Sequence, residues 1–97
     1  MPIFMMFGKY TKDSLKYAST QRTKKAVKII EKNGGKVISM FAVMGEHDLV
    51  FTLEFPDAEK AMIASIGLNK LTGISFYTSP VVDVETFDRL VSKVEKI

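Results

Sequence analysis

The sequence predicts an α+β fold of two layers, in which two helices cover one face of a four-stranded antiparallel sheet. Segments with strand-like alternation or continuous β-prone apolar residues are separated by segments whose apolar residues recur at spacings of three and four. The order is strand, helix, strand, strand, helix, strand, with a further helix at the end. In 97 residues this order fits one domain, residues 1–97.

The first half of the chain predicts a strand, one long helix and a second strand. Residues 3–9 are β-prone and apolar at nearly every position, and Thr11 or Asp13 can cap the helix that follows. Glycine in Asn33-Gly34-Gly35 ends that helix, because glycine readily adopts a left-handed conformation. Residues 36–43 then form strand two. The inward stripe of the helix is expected to be Leu15, Ala18, the aliphatic stem of Arg22, Ala26, Ile29 and Ile30.

The second half predicts a hairpin partner, a second helix, a fourth strand and a short C-terminal helix. Residues 48–55 alternate between an apolar and a more polar face, and Asp57 can cap a helix over 58–71. Gly73 ends this helix, residues 74–82 alternate again, and 84–94 form the last helix. The second helix is expected to turn inward Ala61, Met62, Ser65, Leu68 and Leu71.

This order is the split βαβ, or ferredoxin-like, arrangement, whose helices both pack on one face of the sheet. The other face is left bare, yet residues 3–7 and 37–41 are largely apolar in both of the directions that a strand presents. A large apolar sheet surface in water is unusual for a monomer. We therefore expect a second copy to cover it, as in a dimeric α+β barrel; the alternative is that the C-terminal helix folds back across it.

Charge and composition restrict the partners. Nine basic residues stand against two acidic ones between Lys9 and Lys36, while five basic residues stand against nine acidic ones in the rest. The aromatic residues are not interleaved with these lysines, which argues against nucleic-acid binding. The chain has no cysteine, and its apolar N-terminus is too short for a membrane span, so we expect a cytoplasmic protein without a membrane partner.

Residues 45–57, from Gly45 to Asp57, preceded by Gly34-Gly35-Lys36-Val37, resemble the GYD-domain family of small stand-alone proteins. Where members of that family commonly carry tyrosine before the aspartate, this chain has His47. The same segment is similar to the ligand-sensing domain of leucine-responsive (Lrp/AsnC) transcription regulators, although their DNA-binding helix-turn-helix is absent. Both resemblances imply a dimeric α+β barrel and rings built from such dimers, and the GYD resemblance implies no assigned activity.

Six residues are candidates for a ligand site: Arg22, Gly45, His47, Asp48, Glu54 and Tyr77. His47, the only histidine, could serve as a base or as one axial metal ligand. Because it is a lone histidine, we favour a structural role, as a turn residue whose ring packs at an interface. Asp48 could orient a ligand amine or cap loop amides. Five polar residues would share the bare face and form a polar patch of a cavity or a polar rim: Thr52, Glu54, Ser75, Tyr77 and Ser79. A buried Glu54 would need a partner, either Arg22 or a lysine from another copy.

Three functions of different classes follow. We favour a non-catalytic homo-oligomeric module that binds a small molecule or a partner protein through an intersubunit cavity, without metal or cofactor. The second is a small enzyme of the monooxygenase or isomerase type that uses His47 with Tyr77 or Glu54. Against this hypothesis, the chain lacks a second convincing acid, base or metal ligand. The third is nucleic-acid binding by the basic first helix.

Overall fold

The described part of the chain, in a computed structural model, is the backbone of residues 1–95 and the side chains of residues 1–94. Its elements in chain order are β1 (Ile3–Lys9), α1 (Lys12–Lys16), α2 (Thr20–Lys32), β2 (Lys36–Ala42), β3 (Leu49–Glu54), α3 (Ala58–Thr72), β4 (Ser75–Val81) and α4 (Val84–Glu95). The four strands form one antiparallel sheet in the order β2-β3-β1-β4. This is the ferredoxin-like topology, so the predicted fold class is confirmed.

The prediction of one long first helix is wrong, because that segment forms two helices. Thr11 caps α1 in a reciprocal arrangement with Ser14, whose hydroxyl accepts from the Thr11 N–H. Ser19 then caps α2 by accepting from the Arg22 N–H at 3.0 Å. A serine hydroxyl that binds a backbone N–H competes with continuation of the helix, and here it starts a new one. Leu15 and Ala18, predicted to face inward, are exposed.

Helices α2 and α3 pack on the same face of the sheet and enclose the core with it. β3 directs its alternate side chains into this core, and β1 contributes Phe4 and Met6. Phe4 meets Phe55 edge to face, with the ring centroids 6.0 Å apart. The buried apolar residues that pack together are Phe4, Met6, Ala26, Ile30, Phe51, Leu53, Phe55, Ala61, Ala64 and Leu68.

The inward face of α3 differs from the predicted one. Ala61, Ala64 and Leu68 are buried, whereas Met62 and Leu71, both predicted to face inward, are exposed. Apolar residues lie all around this helix, so periodicity alone could not select the buried side. The small side chains of Ala61 and Ala64 let the helix approach the sheet closely.

The opposite face of the sheet carries no helix in the described part of the chain. α4 projects from the end of β4 and leaves its own apolar stripe exposed, with Phe87 56% and Val91 41% exposed. It therefore does not fold back over the sheet, as the alternative interpretation required. No helix among the described residues is both long and apolar enough to cross a bilayer.

Gly35 provides a test of the core packing, because a Cβ there would lie 2.6 Å from the Phe55 ring and 2.8 Å from the Ile30 carbonyl oxygen. We expect Gly35→Ala to lower the free energy of unfolding by about 1–3 kcal/mol through overpacking. Urea denaturation measures this change. Lys28→Ala, on the exposed side of α2, serves as the control and should change stability by less than about 0.5 kcal/mol. Equal, small changes in both variants would contradict the packing described here.

Asp83 controls the start of α4. Hydrogen bonds from the Thr86 hydroxyl and from the Thr86 N–H, 2.7 Å from Asp83 Oδ1, hold the pKa of Asp83 below its usual range. Because the folded-state pKa is lowered, the stabilisation is present above the ordinary carboxyl pKa and is lost as pH falls through the folded value. We expect acid titration to fray the first turn of α4. The chemical shift of the Thr86 amide measures this transition. Asp83→Asn should abolish this titration; persistence of the same transition in that variant would assign it elsewhere.

Candidate functional site

The bare face of the sheet is arranged in three rows that run across the strands. At the end near the β2–β3 connection, Phe7 lies between Val50 and Tyr77. In the middle row, Met5 lies between Thr52 and Ser79. At the far end, Ile3 lies between Glu54 and Val81. The face is thus apolar and aromatic at one end, hydroxyl-bearing at its centre, and charged at the margin of the other end.

β2 extends these rows at one edge of the sheet. Phe41 pairs with Val50 and is 62% exposed, and Lys36 pairs with Glu54, which places opposite charges across from each other. A bulge between Val37 and Ser39 interrupts the register and brings Ser39 opposite Thr52. The middle row therefore carries Ser39, Thr52, Met5 and Ser79 in that order across the four strands, so two hydroxyl side chains flank Met5 and a third lies beyond Thr52.

His47 belongs to the aromatic end of this face. Its ring centroid lies 5.0 Å from that of Phe7 and 6.4 Å from that of Tyr77. The structure thus brings together two of the six predicted site residues, His47 and Tyr77, and adds Phe7, which was predicted as part of the apolar first strand but not as a site residue. A T-shaped aromatic contact fixes the rings but places no hydrogen bond between imidazole and phenol.

Glu54 lies at the other end of β3. It lies four positions along the strand from Val50, a distance of about 13 Å. His47 and Glu54 are therefore too far apart to act on one atom, and the pairing of these two residues in the enzyme interpretation has no geometric support. Among the described residues, no three His, Cys, Asp or Glu side chains are grouped as metal ligands.

Asp48 connects the β2–β3 loop to the end of β1. Its Oδ2 accepts a hydrogen bond from the Tyr10 N–H at 2.8 Å and lies 3.6 Å from Lys9 Nζ. Its own N–H donates to the Gly8 carbonyl at 2.8 Å. Gly45, two residues before His47, has a φ of 129°, which favours glycine, and its carbonyl accepts from Lys9 Nζ at 3.4 Å. These contacts hold the loop against β1.

Arg22 lies on the helix side of the sheet, apart from the other five residues. Its Nη1 donates to the Ser14 carbonyl at 2.6 Å, and its guanidinium lies 5.9 Å from the centre of the Tyr10 ring. Arg22 and Glu54 are thus on opposite sides of the sheet in one chain. The role of Ser14 was not predicted from the sequence, although its position three residues after Thr11 is the spacing of a reciprocal cap.

Asp48→Ala should leave the partly buried Tyr10 N–H without its acceptor and lower the free energy of unfolding by about 1–3 kcal/mol. Asp48→Asn keeps an acceptor oxygen and removes only the charge, so we expect a clearly smaller loss. Urea denaturation gives the stability, and the Tyr10 amide chemical shift reports the bond itself. If the Asn variant were as unstable as the Ala variant, the charge rather than the hydrogen bond would hold the loop.

Two comparisons with known proteins agree with the resemblances predicted from the residues. The crystal structure of the leucine response regulatory protein LrpA of Mycobacterium tuberculosis is similar, with a TM-score of 0.61 and 12% sequence identity over 86% of this chain and 51% of that chain. The chain spans about half the length of that regulator, and the likeness is one of fold. No curated protein sequence matches the chain. The GYD domain profile matches residues 4–91, so the chain belongs to the GYD domain family.

Proposed function

We propose that the protein is a homo-oligomeric module that binds a small molecule between the bare sheet faces of two copies. The observation that carries this proposal is the composition of that face, where Phe7, Met5 and Ile3 follow one another along the central strand. Burying such a surface stabilises an assembly by about 25 cal/mol per Å² of apolar area removed from water. A second copy offers the same apolar surface, which a two-fold axis can bring face to face with the first.

The three rows also support a cavity for the ligand. In a face-to-face pair, the bulky side chains at both ends of the face would separate the two sheets. The smaller Thr52 and Ser79 would then flank Met5 at the centre, with Ser39 beyond Thr52 in the same row. Ligand pockets are typically apolar with a few convergent polar groups, and a row of three hydroxyls and one thioether fits that description. The ligand would be a compact molecule with hydrogen-bonding groups and an apolar part.

The contacts of His47 fit a wall of this cavity. Its ring is held by Phe7 and Tyr77 on the same face, so a second sheet packed there would enclose it. The similarity to the leucine response regulatory protein is consistent with a ligand-responsive role, since the two chains share this fold. This role does not require the imidazole to take part in a reaction.

Phe41→Asp tests the assembly. Phe41 is exposed in one chain, so the charge would be harmless in a monomer but buried without a partner in the proposed pair. We expect wild type to have at least twice the chain mass of 10.9 kDa by analytical ultracentrifugation at micromolar concentration, and Phe41→Asp to dissociate. Circular dichroism distinguishes dissociation from unfolding. Tyr77→Asp, on the other edge of the same face, should act in the same way.

Met62→Asp is the matched control, since Met62 is 61% exposed on α3 compared with 62% for Phe41 on the sheet. It should leave the assembly unchanged. If Met62→Asp dissociated the oligomer and Phe41→Asp left it intact, the interface would lie in the helix layer and the proposal would be rejected. A wild-type chain that remains a folded monomer would reject it as well.

Native mass spectrometry tests ligand binding. We expect the oligomer from source cells to carry an additional small mass that is lost on denaturation, and Thr52→Val to reduce its occupancy because one of the central hydroxyls is removed. Thr20→Val, at an exposed position of α2, is the control. An oligomer without any retained mass, and without binding in a metabolite screen by thermal shift, would reject the ligand-binding part.

A further inference from the structure

A second cavity lies on the helix side of the sheet, within one chain. It has a volume of about 170 Å³ and opens at the end of the sheet where α2 begins and α3 ends. A cavity of roughly 150 Å³ with apolar walls is large enough to take up benzene. The inner wall of this cavity is apolar and partly aromatic, formed by Ala26, Leu49, Phe51, Leu68, Ile74 and Phe76.

Two aromatic rings shape the floor. The centroids of Phe51 and Phe76 are 5.6 Å apart with their planes inclined at 41°, and both rings line the cavity. Thr72 also lines the cavity, but its hydroxyl donates to the Leu68 carbonyl and accepts from the Ile74 N–H. The interior therefore offers apolar contact without a free polar group from Thr72.

The rim of the cavity is cationic. Arg22 and Tyr10 line it, and Arg22 is fixed by its hydrogen bond to the Ser14 carbonyl and its position over the Tyr10 ring. Only Nη1 is used in that bond, and no carboxylate of the described residues lies within ion-pair distance of Arg22. A guanidinium has five N–H donors, so several remain for an anion.

We propose that this cavity binds a monocarboxylate with a small aromatic or branched aliphatic body. The body would occupy the apolar interior, and the carboxylate would accept hydrogen bonds from Arg22 at the rim, where charge-assisted bonds are strong. No Asp or Glu lines the cavity, so an ammonium group would find no partner there. The surrounding segment, with nine basic and two acidic residues between Lys9 and Lys36, further favours an anion.

This inference goes beyond the proposed function and does not depend on it. The cavity lies on the helix side of the sheet, opposite the bare face, and the two share Phe41 on the edge strand β2. Arg22, predicted from the sequence as a partner for Glu54 in an intersubunit site, receives a different role here, in which it binds the ligand directly.

Benzoate is the probe, compared with benzyl alcohol and benzylamine of similar shape, in amide and methyl NMR titrations of the full chain. We expect benzoate to shift resonances of Ile74, Leu68 and Thr23, and to bind at least about tenfold more tightly than the alcohol or the amine. Arg22→Ala should weaken benzoate binding by about tenfold or more, since it removes the charge-assisted bonds.

Lys24→Ala is the matched control, because it removes a positive charge two residues away on the exposed side of the same helix. It should change benzoate binding by less than about twofold, as expected of a screened surface charge. Ala26→Leu, which narrows the cavity and leaves Arg22 in place, should also abolish the shifts. If it fails to fold, the comparison of the Arg22 and Lys24 variants decides the question.

Three outcomes would overturn the inference. Benzoate shifts that spread over the lysines of α2, and that weaken equally in both charge variants, would show adventitious anion binding. Equal binding of benzoate and benzyl alcohol would show that Arg22 is not engaged. A monomer that binds benzoate in the cavity would support this inference and reject the proposed assembly. An oligomer that does not bind benzoate would reject this inference and support the proposed assembly.

Discussion

The structure depends on an imbalance between what the helices can cover and what the sheet exposes. Two helices shield one face of four strands, and the central strand β1 carries bulky apolar side chains on both faces. Phe4 and Met6 are buried by α2 and α3, while Met5 and Phe7 have no helix over them and are shielded by neighbouring strands and, for Phe7, by the His47 ring. Removing either pair of side chains from water is favourable, but the helices of one chain bury only Phe4 and Met6.

At one end of the sheet, polar contacts connect its two sides. Asp48 binds the Tyr10 N–H, and the Tyr10 ring in turn lies beneath the guanidinium of Arg22. The loop that presents His47 on the bare face is therefore connected, through Asp48 and Tyr10, to the rim of the cavity on the helix side. The bare face at His47 and the cavity rim at Arg22 are thus both held by contacts to Tyr10, the residue that follows β1.

Much of the fold could be predicted from the sequence, because the strands follow simple rules. The alternation in β3 gave its buried face correctly, and Asp57 and Gly73 begin and end α3 as their capping chemistry predicts. The break between α1 and α2 was missed because Ser19 can be read either as a helix residue or as a cap, and only tertiary contacts decide. The buried side of α3 was missed because Met62, Ile63 and Ile66 make its outer surface as apolar as its inner one.

The candidate residues were harder to predict, because sequence separation does not reveal which side of a sheet a helix residue meets. His47 and Tyr77 are close because Tyr77 pairs with Phe7, a matter of strand register that no single motif encodes. Arg22 and Glu54 were associated by charge alone, and the sheet separates them. The cavity beside Arg22 required Phe51 of β3 and Phe76 of β4 to meet across β1, which lies between these two strands in the sheet.

The most direct test of the account is hydroxyl-radical footprinting of Tyr77 and Tyr17 in the wild-type protein. The two side chains are 68% and 66% exposed in one chain, so they should react at nearly equal rates in a monomer. If a second copy covers the bare face, Tyr77 is protected there while Tyr17, in the helix layer, is oxidised freely. Equal oxidation of both residues would show that the face is in water and would contradict the account.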